Sequence, residues 1–324
     1  MSNKLKVSLS PHVHSGDSVR RNMDWVVVAL LPAMLWSFYV FGLGAVIVTA
    51  TSVASCIFFE WAINKFILRN SRTTISDGSA IVTGLLLAFN LPSNLPLYII
   101  IIGALVAMGI GKMPFGGLGN NIFNPALVGR VFLLISFPVK MTTWPVPHPH
   151  QMTAYADAVT AATPLADLQQ AGLGDLFFGN VGGSLGEVSV LLLLVGFVIL
   201  LVAKVISWHI PVSILCSAFV FSVIFYVLQG KMPFADICLL SLKHLCAGGM
   251  MLGAIFMATD YVTSPMTHKG MVIYGLCIGF LVVCIRLFGS YPEGMSFAIL
   301  IMNGFTPLIN NACKPNRFAK EVKK

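Results

Sequence analysis

Long apolar runs, separated by short polar or Gly/Pro breaks, fill the chain from Trp25 to Ile309. A bilayer-spanning helix needs roughly 20 predominantly apolar residues. Reading the runs against their breaks predicts about ten transmembrane helices. Five lie near Trp25–Phe41, Ala45–Ile63, Ser79–Phe89, Pro96–Gly111 and Pro125–Phe137. Five more lie near Val188–Ile206, Ile210–Leu228, Leu245–Thr259, Met271–Leu287 and Met295–Ile309. The third, fifth and eighth runs are short for a full crossing, which suggests tilted or broken helices inside a bundle. Between the two sets lies the only long polar stretch, from about Pro138 to Glu187.

The two sets resemble each other. Tyr98-x-x-x-Ile102-Gly103-x-Leu105-Val106 recurs as Tyr274-x-x-x-Ile278-Gly279-x-Leu281-Val282, and Asn121-x-Phe123-x-Pro125 recurs as Asn303-x-Phe305-x-Pro307. Gly84 and Pro96 have the spacing of Gly253 and Pro265. Five spans per half force the second copy to lie upside down relative to the first. The expected fold is therefore an all-α polytopic membrane protein with two inverted five-helix repeats, an arrangement that places sites where the halves meet. The expected divisions are an N-terminal segment 1–23, a first repeat 24–137, an outer loop 138–187, a second repeat 188–311 and a tail 312–324.

Composition agrees with this reading. The chain of 324 residues is 57% hydrophobic and only 10% charged, with mean hydropathy +0.86. Soluble domains average about 25% charged, so a soluble globule is excluded. The net charge of +8 is spread over short loops and termini, which argues against a nucleic-acid partner. The polar first 23 residues contain no signal-peptide pattern, so the first apolar run is expected to remain as an anchor. With the N-terminus in the cytoplasm, 15 Lys and Arg fall inside and 4 outside, with Arg130 in or near the fifth helix. The positive-inside rule then places both termini in the cytoplasm and the long loop on the outer side.

Chemistry has few places to go. The seven cysteines contain no C-x-x-C and read as small buried hydrophobes. His12, His14, His148 and His150 lack partners at ligand spacing, so no metal site is expected. No nucleophile-elbow, P-loop or zinc-protease motif is present, and no catalytic acid or base is assigned. Asp77-Gly78-Ser79 reads as a cap on the third helix or as part of an ion or ligand path. Glu60, one turn from a helix end, is expected to snorkel, and Gly249-x-x-x-Gly253 to permit close packing. Asp260 reads equally as a functional acid at a span end or as an interfacial acid beside Tyr261. The Gly116–Pro125 stretch, with Asn121 and Asn124, is a Gly/Asn-rich approach to the fifth helix: a cofactor cavity or a plain helix start.

In the long loop, Asp157-Ala-Val-Thr160-Ala-Ala-Thr163 combines two hydroxyls, one carboxylate and small neighbours. Read from the residues alone, this is first of all a polar loop. It also resembles the Asp-x-x-(Ser/Thr)-Gly-Ala-Thr acceptor motif for flavin mononucleotide transfer, departing from it at Ala161. The chain around it is similar to the family of the D subunit of the Rnf ion-translocating electron-transport complex and the B subunit of the sodium-pumping NADH:quinone reductase. Ser10-Pro11-His12, Leu30-Leu31-Pro32-Ala33, Asp77 to Ala88, Asn121 to Leu127 and Thr259 to Pro265 carry the likeness. Chain length favours the Rnf member of the family.

The resemblance implies FMN joined by a phosphoester to Thr163, with Asp157 and Thr160 as the motif's carboxylate and first hydroxyl. It further implies a second, non-covalent flavin such as riboflavin, for which the Asn121/Asn124 stretch is the expected neighbourhood. The implied partners are the other Rnf subunits, a flavin transferase, the lipid bilayer, and Na+ or H+. A solute or ion channel of inverted-repeat fold without a redox cofactor is the alternative, and the loop motif separates the two.

Overall fold

A computed structural model describes residues 18–69, 75–146, 160–161, 165, 168, 172–179, 181–187, 189–230, 232–289 and 293–314. Each of the ten apolar runs coincides with helix. In chain order the first half holds α1 (Val19–Phe41), α2 (Leu43–Ala62), α3 (Ser79–Phe89), α4 (Leu97–Val106) and α5 (Pro125–Ser136). A one-turn α6 (Pro138–Met141) follows. Two-residue strands β1 (Trp144–Pro145) and β2 (Thr160–Ala161) then pair antiparallel, and α7 (Leu173–Phe178) closes the outer connection. The second half holds α8 (Val190–Val202), α9 (His209–Gln229), α10 (Phe234–Cys246), α11 (Met250–Leu252), α12 (His268–Phe288) and α13 (Met295–Ala312).

Among the described residues, five helices are long and apolar enough to cross a membrane, or six if α10 and α11 with its extension Gly253–Met257 form one span bent by 64°. Helices α3, α5 and α8 are apolar but shorter. Helix α10 lies outside the expected set. Asp236, Lys243 and His244 dilute its apolar count, and the expected run begins only at Leu245. The break after α10 falls at Gly248, where φ is +66°, a left-handed conformation that glycine adopts without strain.

Three helices end in π-turns: α2 at Ile63–Ile67, α4 at Ala107–Lys112 and α11 at Gly253–Met257. Such wide turns free carbonyls and re-aim side chains, and they recur at functional sites. Ser79 at the start of α3 and Phe256 near the end of the α11 extension line one cavity. At the other end, Phe89 of α3 and Leu252 of α11 both press on Gly186. The two short helices therefore run past each other in opposite directions, one from each half.

Glycines let the helices approach. A Cβ at Gly84 of α3 would lie 2.7 Å from Val53 Cα on α2, and Ser52 Oγ donates to Gly84 O at 2.8 Å across that crossing. Helix α9 packs most extensively on α12, where a Cβ at Gly279 would lie 2.6 Å from Ile214 O. Helices α1 and α8 join the halves through Gly196, whose added Cβ would stand 2.4 Å from Ala29 O. In Gly249-x-x-x-Gly253, Gly253 does pack tightly, against Met295 and Ile299 of α13, whereas Gly249 lies in the α10–α11 corner. Small residues are the means by which membrane helices gain close contact.

The matched motifs of the two halves occupy different local settings. Asn124 caps α5 immediately before Pro125, whereas Asn303 and Pro307 lie inside α13. Tyr98 is exposed at the start of α4, and Tyr274 is buried within α12.

The α1–α8 crossing yields a test. Gly196→Val forces a branched side chain onto backbone that cannot move aside, and overpacking of this kind costs at least about 1–3 kcal/mol. The expected result is a lower thermal-unfolding midpoint in detergent; an unchanged midpoint would show that the α1–α8 contact is looser than described.

Candidate functional site

Among the described residues, two clusters of buried charged and amide side chains stand out inside the bundle. The first is a cavity of about 100 Å³ where the halves meet. Asn22 of α1, Ser79 of α3, Lys112, Asn121, Asn124 and Asp260 supply its polar wall, and Val82, Leu86, Leu200 and Phe256 supply apolar surface.

Local chemistry explains how each group is held. Asp77 accepts from Ser79 N at 2.9 Å and from Ser79 Oγ at 2.6 Å, with Gly78 at φ +78° making the turn. The N-cap itself is Gly78, so Asp77 serves α3 from one residue further out, taking its first N–H. Asn124 accepts from Ala126 N and Leu127 N, capping α5, and its Nδ2 donates to Met257 O at 3.2 Å. Asn121 Nδ2 donates to Phe123 O at 3.1 Å and to Asp260 Oδ2 at 3.4 Å. Asp260 also accepts from Thr263 Oγ1 at 3.2 Å. With the Asn303 amide oriented so that Nδ2 faces Ile299 O and Tyr274 OH, its oxygen accepts Asn124 N–H at 3.2 Å.

Glu60 corrects the sequence reading. It does not snorkel: it is 1% exposed and receives Lys112 Nζ at 2.8 Å, with Lys112 itself 2% exposed. Lys112 also donates to Ser79 Oγ at 2.6 Å. The π-turn that ends α4 turns Lys112 inward, so a lysine expected among the cytoplasmic charges is a wall of the cavity. A single lysine in a Gly-Lys-Met-Pro turn carries no periodicity that would have revealed this.

The second polar centre lies at the other end of α3. Arg130, buried in α5, hydrogen bonds Asn90 Oδ1 and pairs with Glu293. Its Nη2 stands 3.9 Å from Glu187 Oε1. Arg286 of α12 donates to His244 O and, at 2.8 Å, to Ala247 O. Glu187 closes the outer loop and Glu293 precedes α13, so neither stood out in an apolar run.

The structure places Asn121 and Asn124 on the wall of the inner cavity, and the Asn124 side chain is committed to the helix cap and to Met257. Thr160 is described by its backbone alone, paired with Pro145 in the β1–β2 ladder. Asp157 and Thr163 lie outside the described residues, as do His12, His14, His148 and His150. All seven cysteines are free. Among the described residues, no group of His, Cys, Asp or Glu could hold a metal ion.

Known proteins share this chain's sequence over nearly its whole length. Residues 6–319 match the model of the NQR2, RnfD, RnfE family. The chain is 44% identical to the D subunit of the Na+-translocating ferredoxin:NAD+ oxidoreductase complex of Acetobacterium woodii, over 98% of this chain and 94% of that one. It is 40% identical to the D subunit of the proton-translocating ferredoxin:NAD+ oxidoreductase complex of Clostridium ljungdahlii, over 98% and 96%. It is 37% identical to the D subunit of the ion-translocating oxidoreductase complex of Stutzerimonas stutzeri, over 94% of each.

The Glu60–Lys112 pair generates an expectation of its own. Removing one member of a buried pair leaves an uncompensated charge and costs about 3–5 kcal/mol, whereas replacing both is often close to neutral. Lys112→Met should therefore lower the unfolding midpoint sharply, and adding Glu60→Gln should recover most of the loss. Equal instability of the single and double variants would show that the pair is not the unit of stability.

Proposed function

The chain belongs to the NQR2, RnfD, RnfE family, and from that premise we propose that it is the flavin-bearing membrane subunit of a redox-driven ion translocase of the ferredoxin:NAD+ oxidoreductase type. The observation that carries this reading is the near full-length likeness to relatives named as the D subunit of such complexes. In this reading the chain passes electrons between neighbouring subunits, and their energy drives Na+ or H+ across the membrane. The relatives from Acetobacterium and Clostridium are named for different ions at similar identity, so the likeness favours neither ion.

Thr163 is the proposed attachment point for FMN through a phosphoester, with Asp157 and Thr160 beside it. Ala161 and Ala162 leave a modifying flavin transferase room to reach the hydroxyl. The inner cavity is the proposed seat of a second, non-covalent flavin such as riboflavin. Its residues match such a group in kind: Val82, Leu86, Leu200 and Phe256 offer apolar surface to a flat ring, and Ser79, Lys112 and Asn121 offer polar atoms to its edge. At about 100 Å³ the cavity is smaller than the roughly 300 Å³ at which ligand sites begin, so seating a whole flavin requires its walls to widen. A flavin bound there supplies one- and two-electron chemistry, while the protein supplies position and environment. Lys112, held by Glu60 and Ser79, keeps a positive charge at the cavity wall without exposing it to lipid.

The proposed topology is ten spans in two inverted five-helix halves in the cell inner membrane, with both termini cytoplasmic and the flavin loop periplasmic. The opposed run of α3 and α11 supports it, as does the contact between Asn124 and Asn303, the matched asparagines of the two halves. Transferring one charge against ~100 mV requires about 2.3 kcal/mol, which a one-electron drop of roughly 100 mV balances.

Attachment is testable directly. The chain co-expressed with a flavin transferase should fluoresce under ultraviolet light in a denaturing gel. Thr163→Ala should abolish that signal, and Thr160→Ala should leave at least part of it. Fluorescence that survives Thr163→Ala would move the attachment elsewhere, and a parent chain without visible flavin absorbance would sink the redox reading.

A further inference from the structure

We infer that a second hollow, where α8 stops and α9 and α12 begin, binds the headgroup of an acidic glycerophospholipid through Lys204. The inference is independent of the redox role.

The hollow measures about 470 Å³, within the roughly 300–1,000 Å³ of ligand sites. Leu201, Ile206, Ile210 and Met271 give it apolar surface, and Lys204 and Ser207 give it polar groups. Among the described residues that line it, Lys204 alone is charged. Lys204 is exposed and pairs with no acid among the described residues. Asp260, which lies between the wall residues Thr259 and Tyr261, lines the inner cavity instead, where Asn121 and Thr263 donate to it.

A lysine is an unusual residue for this position. At the end of α8, Lys204 N donates to Leu201 O and Val205 N donates to Leu200 O, each at 3.0 Å, and Lys204 takes φ +56°. This double closure ordinarily has glycine at its left-handed residue, because a Cβ is strained there. The turn alone therefore calls for glycine, and the lysine is accounted for by what its side chain reaches. Its stem can lie along the apolar wall while its ammonium stays at headgroup level.

The surroundings fit the membrane interface. Helices α9 and α12 are each long and apolar enough to cross the membrane, so their first residues lie where hydrocarbon gives way to headgroups. Trp208 and Tyr261 stand there, each more than half exposed, as interfacial aromatics do. Stacked rings hold Trp208, with centroids 4.3 Å from Trp208 to His209 and 4.3 Å from His209 to His268. Tyr261 OH donates to Val205 O. Both residues also line the inner cavity, so this contact belongs to the wall that the two hollows share. An unpaired cation, apolar surface and an aromatic rim together suit a phosphate carried on apolar chains, and basic pockets between membrane helices bind acidic lipids in this way. Free phosphate would leave the apolar surface uncovered, and a zwitterionic headgroup would bring a second cation to Lys204.

The test uses the full chain, stripped of lipid in detergent. Native mass spectrometry reads the affinity for the first phosphatidylglycerol or phosphatidylcholine bound, and thermal unfolding is followed alongside. The parent should prefer phosphatidylglycerol. Lys204→Gln and Lys204→Gly should each weaken that lipid roughly fivefold and leave phosphatidylcholine unchanged, and Lys204→Arg should retain the preference. Lys204→Gly should keep or raise the lipid-free unfolding midpoint, because glycine adopts this φ without strain; a lost affinity in it is then not a folding defect. Lys65, which lies over the Trp61 ring at 5.0 Å and takes no part in the hollow, is the control. Equal loss in Lys65→Gln would show diffuse attraction of lipid to a basic face and overturn the site. Unchanged phosphatidylglycerol affinity in Lys204→Gly would reduce the lysine to a helix terminator and overturn it as well. Inorganic phosphate that displaces phosphatidylglycerol at equal concentration would overturn the lipid in favour of a soluble anion.

Discussion

Lipid offers no hydrogen bonds, so a helix that ends at membrane depth must find partners for its last carbonyls and first N–H groups inside the protein. Asn124 meets this constraint for two ends at once. Its oxygen takes the Ala126 and Leu127 N–H groups at the start of α5, and its Nδ2 donates to Met257 O at the end of the α11 extension. One side chain therefore ties the first half to the second where both chains are broken. The cavity exists because those ends stop short of each other. Asp77, which caps α3 on the same side, allows that helix too to begin inside the bundle.

Charge follows the same logic. Glu60 and Lys112 are each costly alone and acceptable together, and Arg130 is tolerated because two carboxylates and Asn90 meet it. Neither group sits on a lipid-facing stripe. Both lie where a helix is irregular or short: Lys112 on the π-turn after α4, Arg130 on the short α5. Irregular backbone and buried charge belong to one design, in which chain that cannot face lipid is turned inward and lines polar sites.

The helices were legible because burial in lipid demands uninterrupted apolar sequence. Each of the ten runs coincides with helix; the third and fifth are short, the eighth belongs to the stretch bent after α10, and the sixth, α8, is short without its sequence having marked it. Helix α10 was hidden because its amphipathic composition, with Asp236, Lys243 and His244, lacks that demand. At the cavity, Asn121 and Asn124 were legible through their Gly- and Pro-rich surroundings. Lys112, Glu60, Glu187 and Glu293 were not, because pairing across the fold decides whether a charge is buried, and each partner is remote in sequence. Glu60 and Lys112 are 52 residues apart, and Arg130 and Glu293 are 163 apart. The internal repeat was visible as spacing, but it conceals that Asn303 lies within a helix where Asn124 precedes one.

The two polar centres stand at opposite ends of α3, an 11-residue helix. At 1.5 Å per residue that separation is about 16 Å, roughly half of a 30 Å hydrocarbon core. Were α3 to lie along the membrane normal, a charge carried from one centre to the other would cross about half of the membrane field. At 100 mV that is on the order of 1 kcal/mol out of the full 2.3. The remainder would fall on either side of this span. The chain thus holds two buried polar centres at a set separation along one helix. Helix α3 sets the distance between the two centres, and the buried ion pairs near its two ends, Glu60–Lys112 and Arg130–Glu293, hold it in place.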